Sequence, residues 1–310
     1  FFGTPELAVP TLEAVVAKHT VTAVVCQPDK AQGRSKKLVP PPVKSRADEL
    51  GIAVHQPAKL NDGAFEAWLR EQAPDVCALV AYGRILKQPI LDVPAHGFIN
   101  LHPSLLPKYR GPSPIQSAIL EGETETGVTI MRIDAGMDSG DVLSQRTCPI
   151  AESDDAITLS ARLGDLGADM MVEALDAIEN GTATFTPQDD NSATFCKMIA
   201  KEDAHIDWIA PASDIRNSVR AFVPWPVAFS TLRGDVIRIY EAHVEPHFGT
   251  EPPGTVVSVD KHGFAVATGE GALAIDRLQA PGKRVMTAAE FLRGRPLSVG
   301  ERFGARDCAH

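Results

Sequence analysis

The sequence predicts an α/β fold built on a parallel sheet, followed by a small antiparallel β-barrel. Three observations carry this. The chain opens as strand, helix, strand between Phe1 and Cys26, the pattern of a parallel α/β unit. Two further apolar runs, Val76-Cys77-Ala78-Leu79-Val80 and Phe98-Ile99, read as buried strands by their continuity. Past residue 200 the character changes to short runs of β-formers punctuated by turns, as in small barrels. At 310 residues the chain has room for one large or two ordinary domains. The expected division is 1–181, a linker at 182–200 and the barrel at 201–310.

Phe1-Phe2-Gly3-Thr4-Pro5-Glu6 reads as strand end, turn and helix start, with Thr4 as N-cap and Pro5 at the first helical position. The helix should reach about Lys18, and Val21 to Cys26 should be the second strand. No Gly-x-Gly-x-x-Gly and no Gly-x-x-x-x-Gly-Lys-Ser/Thr follows, so neither a dinucleotide site nor a phosphate loop is indicated. Gln27 to Pro42 is a loop carrying Asp29, Lys30, Arg34, Lys36 and Lys37 before three prolines. Its composition fits a solvated loop and a phosphate-contacting arm equally well. A helix over Val43 to Leu50, a short strand Ile52 to Val54 and an Asn61-capped helix with Phe65, Trp68 and Leu69 lead to the strand at Val76. Pro114 to Leu120 reads as a short helix, and Thr129 to Ile133 and Val142 to Ser144 as strands. The long helix from Ala156 to Asn180 has an apolar stripe through Leu159, Leu163, Leu166, Met170 and Leu175, and Gly181 ends it. The barrel strands are expected at Ala228–Arg233, Val236–Ala242, Thr255–Val259, Phe264–Thr268 and Leu273–Leu278.

The chemistry is concentrated where the Phe98 strand ends. Asn100 and His102 alternate with Leu101, so their side chains share one face if the strand persists. Pro103 and Pro107 then force an irregular loop, and the carboxyl end of such a strand is where open α/β sheets bind ligands. Asn offers a neutral donor for a developing oxyanion, and His exchanges protons near neutral pH. Asp134-Ala135-Gly136-Met137-Asp138-Ser139-Gly140-Asp141 supplies a carboxylate that would raise the His102 pKa. By itself such a loop reads more readily as a turn with solvated acids. His205, His243, His247 and His262 are isolated and read as surface or core residues.

Asn100-x-His102-Pro103-Ser104-Leu105-Leu106-Pro107, followed about thirty residues later by Asp138-Ser139-Gly140-Asp141, resembles the 10-formyltetrahydrofolate-dependent formyltransferases. Within them it resembles the branch acting on methionyl initiator tRNA. The resemblance runs from Gly3-Thr4-Pro5-Glu6 to about Gly294. It takes in Gly33-Arg34-Ser35-Lys36-Lys37-Leu38, Ala81-Tyr82-Gly83, Ile206-Asp207-Trp208, Arg220-Ala221-Phe222 with Pro224-Trp225-Pro226, and Gly254-Thr255. It implies a Rossmann-like catalytic domain with an OB-like barrel, and formyl transfer from 10-formyltetrahydrofolate to the α-amino group of methionyl initiator tRNA. Asn100, protonated His102 and Asp138 would be catalytic. The backbone of Arg84, Ile85 and Leu86 would line the pterin pocket together with Ser104, Leu105, Leu106 and Pro107. Arg34, Lys36 and Lys37 would grip the acceptor end of the tRNA. No metal is implied, and a cytoplasmic monomer is expected. The same motif also suits a formyltransferase acting on an amino sugar or another small amine, or a hydrolase or reductase sharing the folate pocket. A non-catalytic RNA-binding protein would leave Asn100, His102 and Asp138 unexplained.

Composition bounds these readings. Hydrophobic residues make up 44% and charged residues 23%, ample for a core. No apolar run approaches the roughly 20 residues that span a bilayer. The five cysteines are scattered and show no metal-ligand spacing, which reads as reduced thiols. A net charge of −10 argues against unspecific nucleic-acid binding, and residues 1–199 carry −9 of it. The chain opens inside an apolar run without Met, so a few residues are expected before Phe1.

Overall fold

A computed structural model describes residues 1–32 and 37–304. The chain forms two compact units. The first contains residues 1–114, 125–149 and 159–197, and the second residues 115–124, 150–158 and the stretch from 198.

The first part of the chain runs β1 (Phe2–Gly3), α1 (Val9–Lys18), β2 (Val24–Val25), β3 (Lys30–Gln32), β4 (Lys37–Val39), α2 (Pro42–Glu49) and β5 (Val54–His55). It continues through α3 (Ala64–Glu71), β6 (Cys77–Val80), α4 (Gln88–Leu91), β7 (Phe98–His102), α5 (Pro114–Leu120), β8 (Glu125–Arg132), β9 (Val142–Pro149) and α6 (Ala156–Glu179). The sheet order is β5-β2-β1-β6-β7-β8-β9. The first five strands are parallel, and β8 and β9 are antiparallel to their neighbours. The chain moves outward from β1 through β2 to β5, then returns to the other side of β1 with β6. This reversal is a topological switch point, where the carboxyl ends of adjacent strands leave a crevice.

The apolar runs explain the layers. Phe2, Val25, Leu79 and Phe98 present one face of the sheet, and Phe65 and Leu69 of α3 and Ile90 and Leu91 of α4 pack there. Phe2 meets Phe98 edge-on at 5.1 Å between ring centroids, an arrangement aromatic pairs favour. Leu101 points to the opposite face, against α6. A Cβ on Gly167 would lie 2.2 Å from Leu101 Cδ1, so glycine alone permits this approach of helix to strand.

Three local expectations are corrected. Thr4 caps no helix: its hydroxyl donates to Tyr82 O at 3.1 Å and accepts from Gln27 N–H at 3.4 Å. The turn Glu6–Ala8 follows Pro5 instead. Thr4 sits at the carboxyl end of β1 beside β6, and long-range partners there replace the local cap. The helix near Asn61 starts after Gly63, with Asp62 accepting from Ala64 N–H. The stretch 182–200 is also not a free linker, because its residues to 197 belong to the first unit. Thr186 pairs with Val142, and Phe195 bridges to Arg110. Many Thr, Asp and Asn residues signal irregular backbone, and irregular backbone can still be fixed by tertiary hydrogen bonds.

The second unit contains α7 (Ala212–Ala221), the strands β10 (Phe229–Leu232), β11 (Asp235–Glu245), β12 (Val256–Val259), β13 (Phe264–Ala267), β14 (Ala272–Gln279) and β15 (Met286–Thr287), and α8 (Ala288–Gly294). The strands form one antiparallel sheet in the order β10-β11-β14-β13-β12, with β15 on β14. Residues 301–304 join its two edges. Gly304 N–H donates to Thr231 O, while Phe303 N–H donates to Gly254 O and Val256 N–H to Glu301 O. The sheet thereby curls around Trp208, Ile237, Ile239, Val266, Leu273 and Phe303. Helix α8, absent from the sequence reading, starts at a capping box in which Thr287 and Glu290 satisfy each other's backbone N–H groups.

Candidate active site

Asn100 and His102 lie on the face of β7 that carries Phe98, next to the switch point. The helices that bury Phe98 leave the two polar residues at the carboxyl end of the strand. His102 is only 4% exposed. Its Nε2 lies 2.9 Å from Tyr109 O. A carbonyl can only accept, so Nε2 carries the hydrogen. Nδ1 faces the Asp138 carboxylate at 3.7 Å. Burial pushes the His102 pKa below the usual histidine value, and the opposing effects of Asp138 and the Tyr109 carbonyl are smaller. Asp138 does raise the His102 pKa, as expected, but desolvation outweighs a carboxylate not in direct contact, and the expectation of a protonated His102 in the free site is corrected. Asn100 is 8% exposed, and its Oδ1 is buried without a hydrogen-bond partner. A buried amide group left unpaired is costly and rare in a purely structural position.

Asp138 occupies the left-handed region at φ 50°. Its Oδ2 accepts from Gly111 N–H at 2.9 Å. Gly111 itself has φ 124°, and a Cβ there would lie 2.4 Å from Cys196 O, so only glycine lets this amide reach Asp138. Gln188 Nε2 donates to Asp138 O at 2.9 Å and to Gly140 O at 2.7 Å. Arg110, 5% exposed, donates from Nε and Nη2 to Gln188 Oε1 and pairs with Asp190 at 2.8 Å. No sequence pattern singles out Arg110, Gly111 or Gln188. Gln188 stands in a polar stretch with no periodicity, and Arg110 reads as one charge in a loop. Proximity to Asp138 is a property of the fold, not of spacing.

The loop after His102 is fixed to the sheet by Thr129, which pairs with His102 across β7 and β8. Thr129 Oγ1 donates to Ser104 O at 2.7 Å and accepts from Leu106 N–H and Gln145 Nε2. Ser104 is buried, with its hydroxyl given to Lys108 O, and Leu106 is buried as well. Leu105 and Pro107 stay partly exposed. At the end of β6, beside Gly3 of β1, lie Ala81 to Leu86. Gln27 Nε2 ties this segment through Tyr82 O and Gly83 O. Arg84 spends its guanidinium on Pro57 O and Ala58 O. Among the described residues, the main-chain groups of Arg84, Ile85 and Leu86 make no backbone hydrogen bond. Ile85 is 89% exposed and Leu86 is buried. Free backbone groups beside an exposed apolar side chain suit a flat heterocycle. Arg34 and Lys36 lie outside the described residues. Lys37 is exposed in β4, paired with Gln32 of β3. A cavity of about 560 Å³ opens at the opposite, amino ends of β1, β2 and β6, among Phe1, Thr22, Val76 and His96, and includes none of these residues.

The Formyl transferase family matches residues 2–175, and the Formyl transferase C-terminal domain family matches residues 198–296. The chain therefore belongs to the formyl transferases. It is 45% identical over 305 residues to the methionyl-tRNA formyltransferase of Geobacter metallireducens, covering 98% of this chain and 97% of that one. It is 46% identical over 307 residues to the methionyl-tRNA formyltransferase of Roseiflexus castenholzii, covering 98% of each. Its fold is shared with an N-formyltransferase from Helicobacter canadensis solved with folinic acid and dTDP-3-aminofucose, at a TM-score of 0.64 and 22% identity over 88% of this chain and 96% of that one. Among the described residues no helix is long and apolar enough to cross a membrane.

Proposed function

We propose that the chain transfers a formyl group from 10-formyltetrahydrofolate to the α-amino group of methionyl initiator tRNA, giving N-formylmethionyl-tRNA. The observation that carries the chemistry is the Asn100–His102–Asp138 arrangement: a buried amide whose oxygen has no partner, and, two residues further on, a buried imidazole facing a carboxylate. The amine nitrogen attacks the formyl carbon, and the carbonyl electron pair moves onto oxygen. Asn100 holds that oxyanion through its amide N–H. His102, neutral before substrate arrives, takes the amine proton at Nδ1, and Asp138 stabilises the imidazolium. Collapse breaks the bond from carbon to N10, which receives the proton from His102. No metal enters this scheme. The donor's pterin lies at Arg84 to Leu86, with Leu105 and Pro107 at the mouth of the pocket and Ser104 and Leu106 supporting it from beneath.

The catalytic part is residues 1–181 together with the strap to 197, and the barrel from 201 binds the body of the tRNA. Arg34, Lys36 and Lys37 contact phosphates at the acceptor end. What favours tRNA over an amino sugar is the near full-length identity of 45% to methionyl-tRNA formyltransferases, against 22% to the sugar N-formyltransferase. A formyl-transfer assay with methionyl initiator tRNA, uncharged tRNA and an amino-sugar nucleotide as acceptors tests the reading. Product with the charged tRNA alone supports it, and turnover of the sugar nucleotide alone refutes it.

A further inference from the structure

The proposed formyl transfer makes no use of the strap formed by residues 186–196. This segment is fastened at both ends. Thr186 exchanges backbone hydrogen bonds with Val142, and Arg110 N–H donates to Thr194 O while Cys196 N–H donates to Arg110 O. Between these anchors Gln188 points its amide into the Asp138 loop. Residues 134–137 of that loop are exposed, so neighbouring packing does not hold it. Asp138 also adopts a left-handed backbone, φ 50°, which costs most non-glycine residues about 1 kcal/mol or more and aspartate less. Its conformation must be imposed, and the two hydrogen bonds from Gln188 Nε2 to Asp138 O and Gly140 O do so. The orientation of Gln188 is itself decided. Both donors of Arg110 reach its Oε1, and Asp190 completes the charge pair. The opposite amide orientation would set an N–H₂ against a guanidinium and an oxygen against two carbonyls.

We infer that Gln188, oriented by Arg110, is a positioning residue for formyl transfer, holding Asp138 where its carboxylate faces His102 Nδ1. This rests on the reading of Asp138 as a catalytic group. Loss of the Gln188 donor leaves the Gly111 contact but frees the backbone to relax from φ 50°, which withdraws the carboxylate from His102. Displacements on the scale of 1 Å cost up to about a hundredfold in rate.

The test uses Gln188→Ala and Gln188→Glu. Glutamate keeps an oxygen for Arg110 and nearly the same shape, but it donates nothing to Asp138 O or Gly140 O. Both variants should lower kcat by about tenfold to a hundredfold, with KM for the folate donor moved by less than about threefold. Gln188→Glu sets an oxygen against two carbonyls and should cost some melting temperature, so kcat is read well below the unfolding transition of each variant, separating positioning from folding. Combined with Asp138→Ala, Gln188→Glu should cause no further loss, because residues acting as one unit are not additive. The acid limb of kcat/KM should move in the direction given by Asp138→Asn. Wild-type kcat in Gln188→Glu beside a crippled Asp138→Ala enzyme overturns the inference and leaves the site reading intact. An equal further loss in the Asp138→Ala background also overturns it. Wild-type kcat in Asp138→Ala overturns the site reading and this inference with it.

Discussion

At the scale of single residues, the site is governed by competition at His102. Burial disfavours the imidazolium, Asp138 favours it, and burial prevails. The base form is then present at neutral pH, ready to take a proton from the attacking amine. Activity should fall on acidification only below the usual histidine range. Asp138→Asn removes the influence that raises the pKa, so its acid limb should lie at lower pH than that of wild type, alongside a lower kcat. A limb moving to higher pH would reject the proposed pairing. The same shift has a consequence for stability. A histidine whose pKa is lower folded than unfolded binds its proton more readily when unfolded, so stability is lost as pH falls below the unfolded value of 6.5. His102→Gln should retain more of its melting temperature than wild type over that acid range. Asn100→Ala should lower kcat by about 10²-fold or more, the scale for one oxyanion donor, with little change in folate affinity.

At the scale of elements, β7 is the part everything else serves. Its Phe98 side is packed by α3 and α4, its Leu101 side by α6, and its carboxyl end carries the reacting groups. Close contact at Gly167 makes the second layer sensitive. Gly167→Val places branched carbon against Leu101 and should destabilise the fold by about 1–3 kcal/mol, the usual cost of overpacking. Helix propensity returns well under that amount. A melting temperature equal to wild type would show that α6 can move off the strand freely. The hairpin of β3 and β4 is an element of another kind, with its base rather than its body packed. Lys44 pairs with Asp29 at 2.9 Å, and Gln56 bonds both Asp29 and the Gln27 carbonyl. This anchors the start of the hairpin. Arg34→Ala should weaken tRNA binding and flatten its salt dependence by roughly one phosphate contact, leaving folate binding unchanged. An unchanged salt slope in both Arg34→Ala and the Lys36/Lys37 double alanine variant would remove these three residues from the acceptor site.

At the scale of the whole molecule, the proposed reaction requires a protein of net charge −10 to bind a polyanion. Long-range attraction cannot supply this, so local basic contacts must. The donor site is independent of that problem. A reduced folate added without tRNA should slow hydrogen exchange at Arg84 to Leu86 and along the loop 103–107. Protection confined to the barrel strands would contradict the placement of the donor site in the first unit.

The sequence by itself determined the α/β class, the barrel, the strand carrying Asn100 and His102, and the loop carrying Asp138. These are local properties: apolar continuity, two-residue alternation and turn chemistry act within a few residues of each other. The motif's specificity added the reaction class. Only the tertiary structure decided what surrounds those groups. Thr4, a cap by local rules, bonds Tyr82 instead, and the supposed linker supplies Gln188 and Thr194. Burial outweighs the Asp138 carboxylate at His102 and leaves its pKa lowered. The hydrogen bonds of Thr4, Gln188 and Thr194 join residues 50 to 85 apart in the chain, brought near by sheet order and chain reversal. Hydrogen bonding and desolvation act through space, so the sequence names the groups while the fold sets their strength.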